Sequence, residues 1–198
     1  MAAPAEMTTL DMSGHFTMNT SLSDDFDTIL RLQGVGWFTR KAIGLSTLHL
    51  HYSHYTEPAP DAPALEYLDV AQSLSGGIGG TCEPRVLDWA LHPYEDDVFG
   101  PVVFRSRRLH LRAPPDGFDL GAFLLDGWAD DVHVHGAVYT IAESAPARGG
   151  RAWRAVQVWG FKDVNGERRH ARHIDFTGPQ GERVLTKLVY DYHGPVRA

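Results

Sequence analysis

The sequence predicts a mainly β fold in which short antiparallel strands follow one another as an up-and-down barrel or sandwich. Runs rich in β-branched and aromatic residues alternate with turn residues from Gly14 onward, and the chain holds 20 glycines and 12 prolines. Asn165-Gly166 is a strong two-residue hairpin signal. Convincing helical periodicity occurs only near the start of the chain. Together these patterns indicate about nine strands and one early helical pair.

The helical pair is predicted from caps and spacing. Residues 23–25 supply an N-cap serine and two acidic residues that suit the positive end of a helix dipole. The next apolar residues share one helical face, and Gly34 ends the helix: they are Phe26, Ile29 and Leu30. A second short helix is predicted from Trp37 to Ile43.

The remaining periodic runs are predicted strands that meet at turns. The acidic stretch Tyr94–Asp97 is interpreted as a loop, and Cys82 as a buried, inert thiol. The predicted strands after Gly14 are Leu45–Tyr55, Leu65–Leu74, Cys82–Leu91, Val98–Leu111, Val132–Glu143, Trp153–Lys162, Arg168–Thr177 and Arg183–Tyr192.

Size and composition limit the function classes. With 198 residues, one cysteine and a net charge of −7, the chain suits a single domain without an internal disulfide. The acidic balance argues against nucleic acid as a partner, because phosphate contacts need clustered Lys and Arg. The sequence has neither an 18-residue apolar run nor a signal peptide. We therefore expect a cytoplasmic monomer or weak dimer without stable membrane insertion.

The domain plan has three parts. Residues 1–12 are small and polar and are expected to form a flexible leader. Residues 13–198 form the barrel domain. Within it, residues 112–131 are an insertion whose apolar side chains predict a short helix or a lid: they are Phe118, Phe123, Leu124 and Leu125.

Both ends of the chain resemble one known family. The segment Phe26–Ala42, FDTILRLQGVGWFTRKA, resembles the helix–turn–helix of intracellular fatty-acid-binding proteins position by position. Gly14-His15-Phe16 stands where that family opens its first strand with Gly-x-Trp. Trp159–Gly166 resembles the family's penultimate hairpin, and Val184–Leu188 its closing strand. The middle of the chain does not align.

The resemblance implies a calycin barrel of about 9–10 strands with a helix–turn–helix cap over one mouth and a hydrophobic ligand in the lumen. The carboxylate-binding Arg-x-Tyr pair of the family is absent. Lys187 stands at the arginine position and Val189 at the tyrosine position, while Tyr190 is one step away and faces the other side of the strand. A fatty acid is therefore not the predicted ligand.

Three residues are candidates for catalysis. His170 and Arg172 share a strand face with Ile174 and Phe176, and an unpaired charge on an inward apolar face would be costly without a function. The alternative is that this face points to solvent. Tyr190 lies on the more apolar face of its strand, which we interpret as inward.

The predicted ligand-binding residues are mostly aromatic. Trp153, Gln157, Trp159 and Phe161 share one strand face, and aromatic residues at period two are both core and wall in a hollow barrel. Tyr192 shares the face of Tyr190. The set is completed by Trp37, His133 and His135.

The chain has 11 histidines, and two pairs have His-x-His spacing: His49 with His51, and His133 with His135. On a strand each pair shares a face, which could begin a zinc site. Neither pair has a third ligand at a recognisable spacing, so no metal and no cofactor is predicted. The alternatives are solvent-facing histidines, or one pair facing the lumen for acid–base chemistry or recognition.

Two functions follow from these predictions. The first is a protein that binds a hydrophobic small molecule in the lumen. The second is a cofactor-independent isomerase or cyclase, such as a pericyclase, that acts on a polyketide- or terpenoid-like substrate of secondary metabolism. Such chemistry needs little more than shape, a few hydrogen-bond donors and a positioned acid or base.

Overall fold

The computed structural model describes residues 1–60, 62–76, 78–115, 117–118, 120–145 and 152–196. It confirms the predicted fold class, because ten antiparallel strands form one nearly closed barrel with a few short helices. The elements in chain order are β1 Gly14–Met18, α1 Asp27–Leu32, α2 Trp37–Leu45, β2 Leu48–Ala59, β3 Ala62–Leu74, β4 Ile78–Glu83, β5 His92–Asp96, β6 Gly100–Leu109, α3 Ala122–Leu125, α4 Asp130–His135, β7 Ala137–Ser144, β8 Arg154–Val164, β9 Glu167–Thr177 and β10 Arg183–Tyr192.

The strands pair with their chain neighbours, and β1 also pairs with β10. The sheet order is β4-β3-β2-β1-β10-β9-β8-β7-β6-β5, so in the described part of the chain no ladder joins β4 to β5. Residues 84–91, which we call the strap, cross this gap. The Leu87 N–H donates to Glu66 O on β3 at 2.9 Å, and the Trp89 N–H donates to Ser106 O on β6 at 2.9 Å.

The strap corrects two sequence predictions. Cys82–Leu91 is not one strand, because Pro84 has no N–H for a ladder and Trp89 has a φ of 64°, which is incompatible with a strand. The stretch interpreted as an acidic loop largely forms β5 instead. Cys82 is exposed rather than buried.

Register determines which side chains enter the lumen. On β9, His170 is paired with Tyr190 of β10 and with Phe161 of β8, so these three residues share the inner face. Two residues further along, Arg172 is paired with Trp159 and Leu188. The strand face of His170 and Arg172 is therefore inward, and the solvent-facing alternative is wrong.

The helical pair lies over one mouth of the barrel. α1 buries Ile29, Leu30 and Leu32 against the barrel, whereas α2 buries none of its residues. Gly34 has a φ of 92°, a conformation that glycine adopts without strain, and this allows the tight turn. Ser23 is not the N-cap of α1. Its hydroxyl instead accepts a hydrogen bond from the Val189 N–H at 2.8 Å, which ties the helical segment to β10.

The insertion lies outside the barrel. α3 packs on β8 and β9, and the Phe123 and Trp128 rings lie 4.9 and 4.6 Å from the His173 ring. Gly160 allows this close approach, because a Cβ there would lie 3.2 Å from the Trp128 ring. None of the described residues of 112–131 lines the lumen. The segment contains the predicted short helix, α3, and covers the outer face of the sheet, so the alternative of a lid over the lumen is wrong.

The first twelve residues pack against the barrel, although a flexible leader was expected. Ala3 and Met12 are buried, and the Ala3 N–H donates to Arg168 O at 2.8 Å. The terminal ammonium lies 3.0 Å from a carboxylate oxygen of Asp191. Across the described residues, helices are too short or too polar to cross a membrane.

Candidate active site

The lumen contains a cavity of about 210 Å³ that is mostly apolar. A second cavity of about 140 Å³ lies toward the helical pair, under Ile43 and Leu74. The two cavities share seven lining residues and are therefore parts of one lumen: Met18, Phe26, Leu30, Leu48, Gln72, Asp96 and Phe99. A hydrophobic ligand that enters past the helices would reach the inner cavity through this apolar mouth.

A polar cluster on the inner wall is centred on Arg172. Its guanidinium carbon lies 3.8 Å from the centroid of the Trp159 ring and 5.4 Å from that of Tyr190. The guanidinium also donates a hydrogen bond to the Tyr52 hydroxyl. Among the described residues, no carboxylate forms an ion pair with Arg172. Its charge is held by aromatic rings and a hydroxyl, which leaves it available to an anionic or carbonyl oxygen.

Hydrogen bonds determine which atoms of this cluster carry protons and which accept them. His170 Nδ1 lies 3.0 Å from Gly160 O, which only accepts, so we assign the ring proton to Nδ1. His170 Nε2, 3.1 Å from the Tyr52 hydroxyl, then accepts the Tyr52 proton. Burial, reinforced by the charge of Arg172, lowers the pKa of His170 to about 3 and keeps the imidazole neutral. The proton of Tyr52 is therefore committed to His170.

Tyr190 has the free hydroxyl of the cluster. Its side chain is 1% exposed and lines the cavity, and its hydroxyl oxygen has no hydrogen-bond partner. Burial raises the pKa of Tyr190 to about 12, so the group is a neutral donor. The Nε of Arg172 is likewise buried without a partner. Buried donors without partners are costly, so an oxygen of a bound molecule would satisfy them favourably.

A second arginine on the same wall has a carboxylate partner, although its Nε, like that of Arg172, is buried without a hydrogen bond. Arg85, on the strap, has its guanidinium carbon 4.9 Å from the Trp159 centroid and forms an ion pair with Glu83. It also donates to the Thr140 hydroxyl at 3.4 Å. Arg85 is buried, and both Glu83 and Arg85 line the lumen.

Asp96 adds a carboxyl group to the mouth of the lumen. Its side chain is 4% exposed, and its Oδ1 accepts the N–H groups of Val98 and Phe99 at 2.7 and 2.9 Å. Burial raises the pKa of Asp96 in spite of these bonds. The position ends β5, and its bonds to the amides two and three residues further along form the turn into β6.

The structure brings together most of the residues predicted from sequence. His170, Arg172 and Tyr190 form the inner cluster. Trp153 and Gln157 line the cavity, Trp159 carries the Arg172 guanidinium, and Gln157 accepts the Trp159 indole N–H at 3.0 Å. The remaining two inward aromatic residues pack behind the cluster: Phe161, 5.8 Å from the His170 ring, and Tyr192, 5.2 Å from the Phe16 ring.

Three predicted ligand-binding residues lie elsewhere. Trp37 is 57% exposed at the start of α2. His133 and His135 belong to α4, because the strand predicted from Val132 begins only at Ala137. On a helix, residues two apart do not share a face, so the pair cannot face the lumen together.

His49 and His51 point outward from β2. They stack with His15, whose ring lies 5.3 and 4.4 Å from theirs, and His193 lies beside them at 5.1 Å from His15. No group of three histidine, cysteine or acidic residues in the described ranges has the geometry of a metal site. The outer histidine cluster is therefore interpreted as solvent-facing.

Sequence reasoning missed Tyr52 and Asp96. The alternation of Leu48, Leu50 and Tyr52 with histidines on β2 was a signal, because the apolar set must face the lumen. The signal for Asp96 was weaker. Its side chain caps the turn to Val98 and Phe99, and no local pattern states that this turn closes over a cavity.

Two curated proteins are similar to the chain over its whole length. One is named "Probable pericyclase scpY", from Mollisia scopiformis, and is 28% identical over 197 residues, covering 100% of this chain and 97% of that protein. The other, "Pericyclase pydY" from Acremonium sp, is 24% identical over 199 residues, covering 98% of each. No model of a known protein family matches the chain.

Among solved structures, the REP1-NXSQ fatty acid transporter has a similar fold. Its TM-score is 0.50 at 11% identity, and the match covers 94% of this chain and 98% of the transporter. At that identity the likeness concerns the fold alone, which is that of the fatty-acid-binding barrel expected from the sequence.

Proposed function

We propose that the chain is a cofactor-independent enzyme that catalyses a pericyclic isomerisation of a polyketide- or terpenoid-like polyene inside the barrel. The observation that carries the proposal is the inner cluster, in which Arg172 and Tyr190 present unused donors beside an aromatic wall. The names of the two full-length relatives support it. The protein is accordingly a divergent and enlarged relative of the fatty-acid-binding barrels, working in the cytoplasm as a monomer or weak dimer.

The chemistry of this reaction class fits the groups on the wall. A pericyclic step moves electrons around a ring of carbon atoms through one transition state, so substrate and product are isomers and no proton, oxidant or leaving group is exchanged. A carbonyl conjugated to the reacting alkene accelerates such a step when its oxygen is hydrogen-bonded, because electron density is drawn away from the alkene. Arg172 and Tyr190 supply those donors in a water-poor site.

The walls would select the reactive conformation. A flexible polyene rarely brings its ends together in solution, and holding them at bonding distance removes much of the entropic barrier. Trp153, Ile174 and Phe176 line the cavity and provide an apolar surface. His170 and Tyr52 act as positioning residues, since their hydrogen bonds orient Arg172 while their own protons are committed.

Turnover of a bound polyene tests the proposal. Linear polyenes that carry a diene and a carbonyl-activated alkene are first screened for binding by quenching of tryptophan fluorescence. The bound compounds are then incubated with the protein, and isomers of unchanged mass are separated by chromatography. We expect faster cyclisation and one dominant diastereomer. Bound polyenes that cyclise at the protein-free rate, with the protein-free isomer ratio, would contradict the proposal.

Binding without conversion is the second candidate function. The apolar mouth formed by Phe26, Leu30, Leu48 and Phe99 favours a hydrophobic ligand whether or not it reacts. Organic extraction of the purified protein, followed by mass spectrometry and renewed incubation, distinguishes the two. A carrier returns the extracted molecule unchanged, whereas an enzyme converts it or yields its cyclised isomer.

A further inference from the structure

A second groove lies on the outside of the barrel, on the opposite side of the sheet from the lumen. It has a volume of about 410 Å³ and crosses the outer faces of β6, β7 and β8 as far as Asp175 on β9, whose carboxylate is paired with Arg183 at 2.6 Å. Its floor contains Ile141 and Val156, which are directly paired across β7 and β8. Trp89 of the strap and Phe118 of the insertion line the groove.

Three aromatic rings meet at one end of this groove. Trp89 lies 5.2 Å from Phe118 and 5.5 Å from Tyr139, and Phe118 lies 5.3 Å from Tyr139, measured between ring centroids. The φ of 64° at Trp89 is an uncommon and strained conformation for a bulky residue. Its N–H bond to Ser106 holds it there, so the fold retains an unfavourable backbone geometry that places the indole in the groove.

Two arginines border the same rings without a carboxylate partner. The guanidinium carbon of Arg105 lies 4.5 Å from the Trp89 centroid, and that of Arg107 lies 5.2 Å from the Phe118 centroid. No ion pair in the described part of the chain involves either side chain. Arg154, in the same groove, is instead paired with Glu143 at 3.0 Å. This end of the groove is therefore positively charged, although the whole chain has a net charge of −7.

We propose that this outer groove binds a small acidic molecule with a flat ring system, of the aromatic carboxylate class. The three rings offer stacking surfaces, and Arg105 and Arg107 offer charge-assisted hydrogen bonds to the acidic group. The volume lies within the range of small-molecule sites. The site is separate from the lumen and does not depend on the proposed enzymatic function.

Titration with 1-naphthoate tests the proposal on the full chain. The indole N–H resonances of Trp89 and Trp159 in a ¹⁵N-labelled sample report the groove and the lumen separately, after assignment by Trp→Phe variants. We expect the Trp89 resonance to shift with saturation. We also expect about tenfold weaker binding for the neutral isostere 1-naphthamide and for the double variant Arg105→Gln/Arg107→Gln. The matched control is Arg112→Gln, which changes an arginine that is 70% exposed and does not line the groove, and this variant should bind like the parent.

Three results would overturn the proposal. The first is a Trp89 resonance that does not move at millimolar 1-naphthoate. The second is a shift confined to Trp159, which would place the probe in the lumen. The third is equal affinity of the parent and the double variant, or equal affinity for naphthoate and naphthamide, which would remove the role of the arginines. An unchanged melting temperature of the double variant shows that any loss of binding is not a loss of folding.

Discussion

Arg85 and Arg172 stack on the same indole of Trp159, yet the protein treats their charges differently. Arg85 is paired with Glu83 and donates to Thr140, so its charge is neutralised within the wall. Arg172 contacts rings and the Tyr52 hydroxyl, and has no carboxylate partner among the described residues. The difference separates a charge that stabilises the barrel from one that is left available for a ligand. Substitutions should therefore affect stability at one site and activity at the other.

The largest effect is expected on stability, from Arg85→Gln. Removing the guanidinium leaves Glu83 as a largely buried carboxylate without its partner, a change that costs about 3–5 kcal/mol. Urea unfolding measures the loss. The double variant Arg85→Met/Glu83→Gln is the control and should recover most of it, because no charge is left unpaired. A loss below 1 kcal/mol for the single variant would break the distinction between the two arginines.

Arg172→Gln should lower turnover instead. Loss of a preorganised donor to a developing charge reduces kcat by about 10²–10³-fold, whereas removal of an unpaired buried cation leaves the free energy of unfolding unchanged or higher. Parallel measurement of kcat/KM and of urea unfolding tests this. If the Arg172→Gln variant converted a polyene with the same kcat/KM as the parent, Arg172 would be excluded from the reaction.

Two buried histidines should make stability depend on pH: His170 of the inner cluster and His173, which lies under the insertion on the outer face. The folded pKa of His170 is about 3 and that of His173 about 4, both below the ordinary value of 6.5, so the unfolded chain binds protons that the folded chain does not. The contribution of these histidines to the free energy of unfolding is fully present above pH 6.5 and is lost as the pH drops toward 3. It amounts to about 1.4 kcal/mol per unit of pKa difference. His170→Gln should flatten the profile, and the exposed His110→Gln should not. Identical profiles would show that His170 is not the source.

The smallest pair of effects compares two tyrosines. Tyr190→Phe removes a hydroxyl without a partner, so the protein should gain about 1 kcal/mol while turnover falls about tenfold. Tyr52→Phe removes a hydroxyl bonded to both His170 and Arg172, so it should lose stability. Both are measured by thermal unfolding and steady-state kinetics. Equal stability changes would mean that the two hydroxyls do not differ in their bonding.

The sequence was informative where strands are long and alternate regularly. On β8, β9 and β10 the period of two places Trp159, Arg172 and Tyr190 on one inner face, and the structure agrees because register is fixed by the buried side. It was misleading where the chain leaves the sheet. His133 and His135 follow strand-like spacing but lie on α4, and the apolar insertion covers the outer face because Gly160 leaves room for Trp128 there. Such packing depends on distant contacts that no local pattern records.

The length of the strap sets how far apart the two edge strands of the barrel, β4 and β5, lie. Every ladder in the described sheet joins strands on one continuous ribbon from β4 to β5, and the backbone passes from one edge of this ribbon to the other through residues 84–91. Lengthening or shortening this one segment would widen or narrow the chamber without breaking a strand pair. Barrels of this plan can thus differ in the width of the lumen through the length of a single loop, while the inner cluster on β9 and β10 stays in place.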